Sequence, residues 1–153
     1  MKADLVEMIC GELRASLERL AKAAMAAHEA ATDPGSKAES KYDTRSLEES
    51  YLATGQARQV RELAETLRAF ETLKLRDFKK GEEIEAGALV TVSRQDNGES
   101  VRFLLAPASG GLEVDFEGEN ITLLSPESPL YGKFLGKRQA DIIESPPFEI
   151  VSV

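Results

Sequence analysis

Apolar residues in the first half of the chain follow helical spacing. They recur every three or four positions from Val6 to Ala31, until Pro34-Gly35 interrupts the pattern. A second run with the same spacing extends from Leu47 to Leu73. Each helix would have about 30 residues and a length of roughly 45 Å. Because neither helix can bury its own apolar stripe, we predict an antiparallel, coiled-coil-like hairpin over residues 1–78, with its tip at about 32–44.

The second half of the chain has the pattern of short strands. Asp96-Asn97-Gly98 is a strong hairpin-turn signal, and Ser128 to Gly136 has the signals of a short capped helix, with Ser128 as its N-cap. Apolar and β-branched runs predict strands at 88–92, 101–105, 112–116, 121–124, 142–143 and 148–153. We therefore predict an α+β fold, in which residues 79–153 form a small antiparallel sheet domain with one short helix.

Charge divides the chain at the same place. The net charge is -8. Residues 1–80 hold 14 basic and 14 acidic side chains, whereas residues 81–153 hold 5 basic and 13 acidic ones. This acidic excess argues against nucleic-acid binding by the whole surface, because phosphates need a cationic footprint. It also suits the second domain to a basic protein surface.

Single residues exclude further classes of site. With Cys10 as the one cysteine and His28 as the one histidine, neither a disulfide framework nor a His-rich zinc site is expected. We interpret both as structural helix residues. No apolar run approaches the roughly 20 residues of a membrane helix, and the N-terminus lacks the apolar core of a signal peptide. We expect a cytoplasmic protein.

One stretch of the second half resembles a known family. Ser128-Pro129-Leu130 followed by Phe134-Leu135-Gly136-Lys137 and Asp141 resembles the Ser-Pro motif of the Gre transcript-cleavage factors, the GreA/GreB family. Gly87-Ala88-Leu89-Val90-Thr91-Val92 is similar to that family's Gly-Ala-x-Val-x-Val strand, and the order of a hairpin before a sheet domain is also the same. The resemblance implies an FKBP-like second domain that binds bacterial RNA polymerase and a hairpin that enters the polymerase's secondary channel.

The resemblance also implies a mechanism at the hairpin tip. Acidic tip residues of the family help to hold a second Mg²⁺ in the polymerase's active site, which then cleaves backtracked RNA; the factor has no active site or cofactor of its own. Gly35 and Glu39 keep the family spacing, but Ser36 replaces the family's Asp and Tyr42 comes one residue early. Asp33 or Asp43 would have to supply the second carboxylate, since one carboxylate holds Mg²⁺ weakly.

The expected site residues are therefore in two places. Glu39, Asp43 and Asp33 are the tip carboxylates, with Glu39 and Asp43 as Mg²⁺ ligands shared with the polymerase. Glu127, Ser128 and Pro129 are the partner-binding turn, which an exposed Leu130, Tyr131 or Phe134 would strengthen. Helix arginines that could contact the channel are Arg58, Arg61 and Arg68.

Other interpretations of the same residues stay open. The tip acids alternate with Lys37, Lys41 and Arg45, so they can be solvated loop charges, and the chain can belong to a divergent branch, Rnk-like or anti-cleavage, that occupies the channel without stimulating cleavage. A prolyl isomerase is disfavoured because the second domain has few aromatic residues and no Trp. A dimerisation or chaperone arm is disfavoured because the tip is polar. We expect a monomeric transcription elongation factor that modulates polymerase rather than an enzyme.

Overall fold

The computed structural model describes residues 2–32 and 45–153, with side chains described for residues 2–26 and 55–153. Two long helices open the chain: α1 is Lys2–Thr32 and α2 is Arg45–Glu71. Both follow the predicted apolar stripes. In α1, Val6 and Ile9 are buried, and in α2 Phe70 is only 1% exposed. Ala57, which lies within the second predicted apolar run, is exposed.

The chain has two compact units. One unit holds Met8–Arg68, and within it a shallow groove is lined by Leu20 and Ala23 of α1 and Leu63 of α2, so the helices lie side by side there. The other unit holds Met1–Glu7 together with Ala69–Val153. Since the start of α1 and the end of α2 belong to one unit, the two helices run in opposite directions, as predicted. The coiled-coil geometry and the domain limits at 78 and 79 stay predictions.

A six-stranded sheet follows the helices. Its strands are β1 (Leu89–Arg94), β2 (Ser100–Leu105), β3 (Glu113–Phe116), β4 (Glu119–Leu124), β5 (Ile142–Ile143) and β6 (Phe148–Ser152), and α3 (Pro129–Phe134) lies between β4 and β5. Their order across the sheet is β3-β4-β2-β1-β6-β5. The α+β class and each predicted strand segment are confirmed.

The prediction of an antiparallel sheet is wrong for one pair. Four of the five strand pairs are antiparallel, but β2 and β4 are parallel. The β3–β4 hairpin closes tightly through Glu117 and Gly118, which both have positive φ, as this type of turn requires. After β2 the chain does not form the strand next to β2 but leaves that position empty, and β3 becomes the edge strand one position further out. The returning β4 then runs beside β2 in the same direction.

One face of the sheet packs against α3. Phe134 of this helix is fully buried, and its ring lies 5.6 Å from the ring of Phe103 on β2. Phe103 also contacts the ring of Phe148 on β6 at 5.8 Å. Val90, Val92, Leu105 and Ile150 complete this side of the core. Burial of these side chains fixes α3 firmly on the sheet.

The other face of the sheet is buried as well. Leu104, Ile121 and Leu123 point to it and are 0% exposed. The same compact unit contains the first residues of α1 and the last of α2, where Leu5 and Phe70 are at most 1% exposed. The unit that contains the sheet therefore also includes the first residues of α1 and the last residues of α2.

Candidate functional site

The predicted tip carboxylates lie outside the described residues. The segment 33–44 contains all three of them: Asp33, Glu39 and Asp43. It also contains Ser36, where the sequence departs from the family pattern. Their roles as cleavage residues and as Mg²⁺ ligands stay predictions.

The predicted partner-binding turn stands at the start of α3. Ser128 has extended backbone, with φ -73° and ψ 127°, and Pro129 occupies the first turn of the helix, as expected from its fixed φ. Glu127 and Pro129 are exposed, and Ser128 is half-buried. The turn therefore exposes a carboxylate and a proline ring to solvent, and its role as a partner-binding site stays a prediction.

The predicted capping by Ser128 is wrong in one respect. Its hydroxyl makes no bond to the amides of α3. Instead, Ser128 Oγ accepts a hydrogen bond from the amide of Ser125 at 3.1 Å, while the Ser128 amide donates to the Ser125 carbonyl at 2.8 Å. The side chain of Ser128 thus stabilises the turn Ser125–Ser128 and does not cap the helix. The signal that identifies an N-cap in a sequence does not distinguish these two uses of a serine.

A glycine from another loop supports this turn. A Cβ atom added to Gly110 would lie 2.4 Å from Ser125 Oγ and 2.7 Å from Ser128 Oγ. Gly110 belongs to the β2–β3 connection, whose end is held by a 2.8 Å bond from the Gly111 amide to the Leu123 carbonyl. The turn and the connection therefore form one packed surface, a contact that the sequence did not indicate.

The aromatic residues of α3 do not add an exposed patch. Tyr131 is 6% exposed and Phe134 is 0% exposed, because both belong to the core, and Leu130 is partly buried against it. Burial also raises the pKa of the Tyr131 hydroxyl. The structure does not supply the support for partner binding that exposure of these three side chains would have given.

An arginine clamp that the sequence did not reveal holds the chain between α2 and β1. Arg76 bonds Glu82 at 2.8 Å and Glu85 at 3.2 Å, and its guanidinium lies 4.0 Å from the centroid of the Phe78 ring. Lys2 approaches the same ring at 4.8 Å and donates to the Arg76 carbonyl at 2.5 Å. The start of α1, this connection and the residues before β1 are therefore joined by one set of contacts.

The carboxylate of Glu82 is the centre of this clamp. It accepts a 2.7 Å hydrogen bond from the amide of Lys79 as well as the bond from Arg76. These bonds, the Lys79 amide first, lower the pKa of Glu82 from its usual 4.5. The carboxylate is therefore ionised at neutral pH, and in this form it holds the chain between α2 and β1 through its bonds to Arg76 and Lys79.

The remaining candidates of the hairpin have ordinary positions where they are described. Cys10 is buried at 3% exposure, which agrees with a packed helix residue. Arg58, Arg61 and Arg68 are exposed on α2, and Arg58 pairs with Glu62 at 3.7 Å. The side chain of His28 lies outside the described set. Contact of these arginines with a partner stays a prediction.

The described residues contain neither a metal-binding cluster nor a membrane-spanning helix. Within 2–32 and 45–153, no cluster of three or more His, Cys, Asp or Glu side chains is arranged to hold a metal ion. Among the helices described, none is both long and apolar enough to cross a membrane.

Comparisons with known proteins give structural neighbours only. No protein-family profile matches the chain, and no curated protein matches it. Among solved structures, the GreA factor homolog Gfh1 of Thermus thermophilus is similar over 94% of this chain and 92% of its own, with 19% identity and a TM-score of 0.36. A second structure, described as the transcription factor Gfh1, covers 94% of this chain and 91% of its own, with 19% identity and a TM-score of 0.37.

Proposed function

We propose that this protein is a transcription elongation factor of the Gre type, which binds bacterial RNA polymerase and modulates the cleavage of backtracked RNA. The observation that supports this most directly is the Ser128-Pro129 motif in its structural setting. The motif starts a short helix of a six-stranded sheet domain that follows two long antiparallel helices. This is the arrangement that the family resemblance of the sequence leads one to expect.

In this proposal the two ends of the molecule have different tasks. The turn Glu127–Pro129 contacts the polymerase, and the hairpin enters its secondary channel. Glu39, with Asp43 or Asp33, then helps to hold a second Mg²⁺ in the polymerase's active site. A second metal stabilises the attacking water and the charge that develops on the phosphoryl group, and Mg²⁺ prefers carboxylate oxygen ligands. The protein contributes ligands and not a reaction of its own, so it is not an enzyme.

The experiment is RNA release from a stalled, backtracked transcription complex, with and without the protein. Glu39→Ala should reduce the stimulated cleavage at least about 10-fold, because the loss of even an outer partner of a metal ligand costs about 10-fold to 100-fold. Asp43→Ala should do the same if Asp43 rather than Asp33 supplies the second carboxylate. Glu117→Ala on the β3–β4 turn is the control and should cleave like wild type. Unchanged cleavage in both tip variants would contradict the tip mechanism.

The second candidate function is a channel binder that does not stimulate cleavage, in the manner of Rnk-like or anti-cleavage members. The observation in its favour is Ser36, which stands where the family pattern has its first acidic tip residue. The same assay separates the two functions, because wild-type protein would then slow the release of RNA instead of accelerating it.

A further inference from the structure

A groove with exposed apolar walls lies between the end of α3 and the edge strand β5. We call it the α3–β5 groove, and its lining includes Lys133, Leu135, Lys137, Ile142, Glu144 and Ser145. Leu135 is 44% exposed and Ile142 is 57% exposed, although most large apolar side chains of this unit are buried. Two such side chains in one groove are a feature of contact surfaces.

The basic side chains of the groove differ from the other basic side chains of residues 81–153 in having no ion-pair partner among the described residues. Residues 81–153 hold five basic residues, and three of them are ion-paired: Arg94 with Asp96, Arg102 with Glu119, and Arg138 with Glu83. The remaining two, Lys133 and Lys137, both line the groove and have no carboxylate partner among the described residues. Lys133 donates to the carbonyl of Ser145. The unneutralised positive charge of this half is thus concentrated beside exposed apolar surface.

The backbone around the groove is fixed by hydrogen bonds. The Gly136 amide donates to the Ile84 carbonyl at 2.9 Å, and the Ile84 amide donates to the Lys137 carbonyl at 2.7 Å. Gly136 has φ of 80°, which ends α3 and turns the chain toward these bonds. The groove is therefore formed before any partner arrives, which lowers the entropic cost of binding.

We propose that the α3–β5 groove binds an acidic, apolar segment of RNA polymerase, as a second contact beside the Glu127–Pro129 turn. The proposal rests on the function proposed above. Apolar side chains of the segment pack on Leu135 and Ile142, and its carboxylates pair with Lys133 and Lys137. This contact has the opposite charge preference to the rest of the sheet domain, whose excess acidity favours a basic surface.

Charge selects a protein segment over other occupants. Two lysines in a lining that also contains Glu144 are a small cationic footprint in a half-chain with 13 acidic residues. The acidic surroundings would repel a nucleic acid or an anionic membrane. A polypeptide can present two carboxylates next to apolar side chains and avoid the acidic surface around them.

The test is a competition experiment with purified bacterial core RNA polymerase that carries no nucleic acid. Unlabelled full-length variants displace wild-type protein labelled at its N-terminus. Lys133→Glu/Lys137→Glu and Leu135→Ser/Ile142→Ser should each bind at least about 10-fold more weakly, since each loses two contacts at one surface. Lys137→Glu alone, whose side chain makes no hydrogen bond among the described residues, should also weaken binding. Lys74→Glu/Lys80→Glu is the control with the same change of charge and should bind like wild type.

Each outcome decides the proposal. Weaker binding by both groove variants, with an unchanged control, supports it, and the salt dependence of binding should then decrease in the charge variant. If wild type binds and either groove variant binds equally well, or the control is weakened to the same extent, the groove proposal is wrong while the proposed function stands. If wild type does not bind polymerase, the proposed function fails and the groove proposal with it. If the groove variants instead change the oligomeric state in sedimentation, the groove is a contact between copies of this chain, which also overturns the proposal.

Discussion

Gly110 shows how one residue can position a turn that lies elsewhere in the sequence. Its missing side chain leaves room for the hydroxyls of Ser125 and Ser128, and the Ser128 hydroxyl in turn accepts the hydrogen bond that closes the turn before α3. Ser125 is itself only 6% exposed, so it has little space to move away.

We expect Gly110→Ala to destabilise the protein by about 1–3 kcal/mol, the usual cost of forcing a methyl group into a packed site. The added Cβ would displace Ser128 Oγ or the Cβ of Ser125, which lies 3.0 Å away. Unfolding in denaturant measures the change. Gly132→Ala is the matched control, because nothing lies within 4 Å of its added Cβ and alanine favours the helix. Equal stability of Gly110→Ala and wild type would show that the turn adapts without cost.

At the residue scale, the sequence identified the turn at Ser128-Pro129 but not the contacts with Ser125 and Gly110 that hold it. Pro129 and Gly136 were correctly placed because each has a backbone preference that is visible locally. The direction of the Ser128 hydroxyl depends on Ser125 and on the loop that carries Gly110. No local pattern encodes that contact.

At the scale of elements, the Arg76 clamp links stability to pH. The pKa of Glu82 is lowered in the folded protein, so its contribution is present above the unfolded value of about 4.5 and is lost as the pH falls through the lower folded value. The connection between α2 and β1 should therefore be held best at neutral pH.

We expect Glu82→Gln to lower the melting temperature at pH 7, and the difference from wild type to disappear as the pH falls well below 4.5. Thermal unfolding followed by circular dichroism at a series of pH values measures this. Glu117→Gln is the control, because Glu117 makes no ion pair among the described residues. A difference between Glu82→Gln and wild type that does not vary with pH would contradict the ionic explanation.

Strand pairing was the part of the fold that local pattern described least completely. The runs at β1 to β6 were visible because β-branched and apolar residues alternate or cluster there. The parallel contact of β2 with β4 was missed, because a turn signal joins sequential strands but does not say which strand becomes the neighbour of another. The path of the β2–β3 connection decides that.

At the scale of the whole molecule, the proposed function separates binding from cleavage. Glu127→Lys should weaken binding to core polymerase about 5-fold, since the loss of one contact at an exposed surface costs a fraction to about one kcal/mol. It should leave cleavage unchanged at saturating protein. Glu39→Ala should leave the binding unchanged and reduce the cleavage at saturating protein. Titration of stalled complexes with each variant gives both the half-saturating concentration and the maximal rate.

An outcome in which Glu127→Lys lowers the maximal rate, or Glu39→Ala lowers the affinity alone, would contradict this division of tasks. Their circular dichroism spectra should match that of wild type.

The sequence by itself determined the helices, the strands, the tight turns and the charge of each half, because these depend on residues that are neighbours along the chain. It also carried the motif on which the functional proposal depends. The tertiary structure decided the parallel strand pair, the burial of Tyr131 and Phe134, the Arg76 clamp and the α3–β5 groove. None of these follows from a local pattern, because each depends on how the folded segments pack against one another.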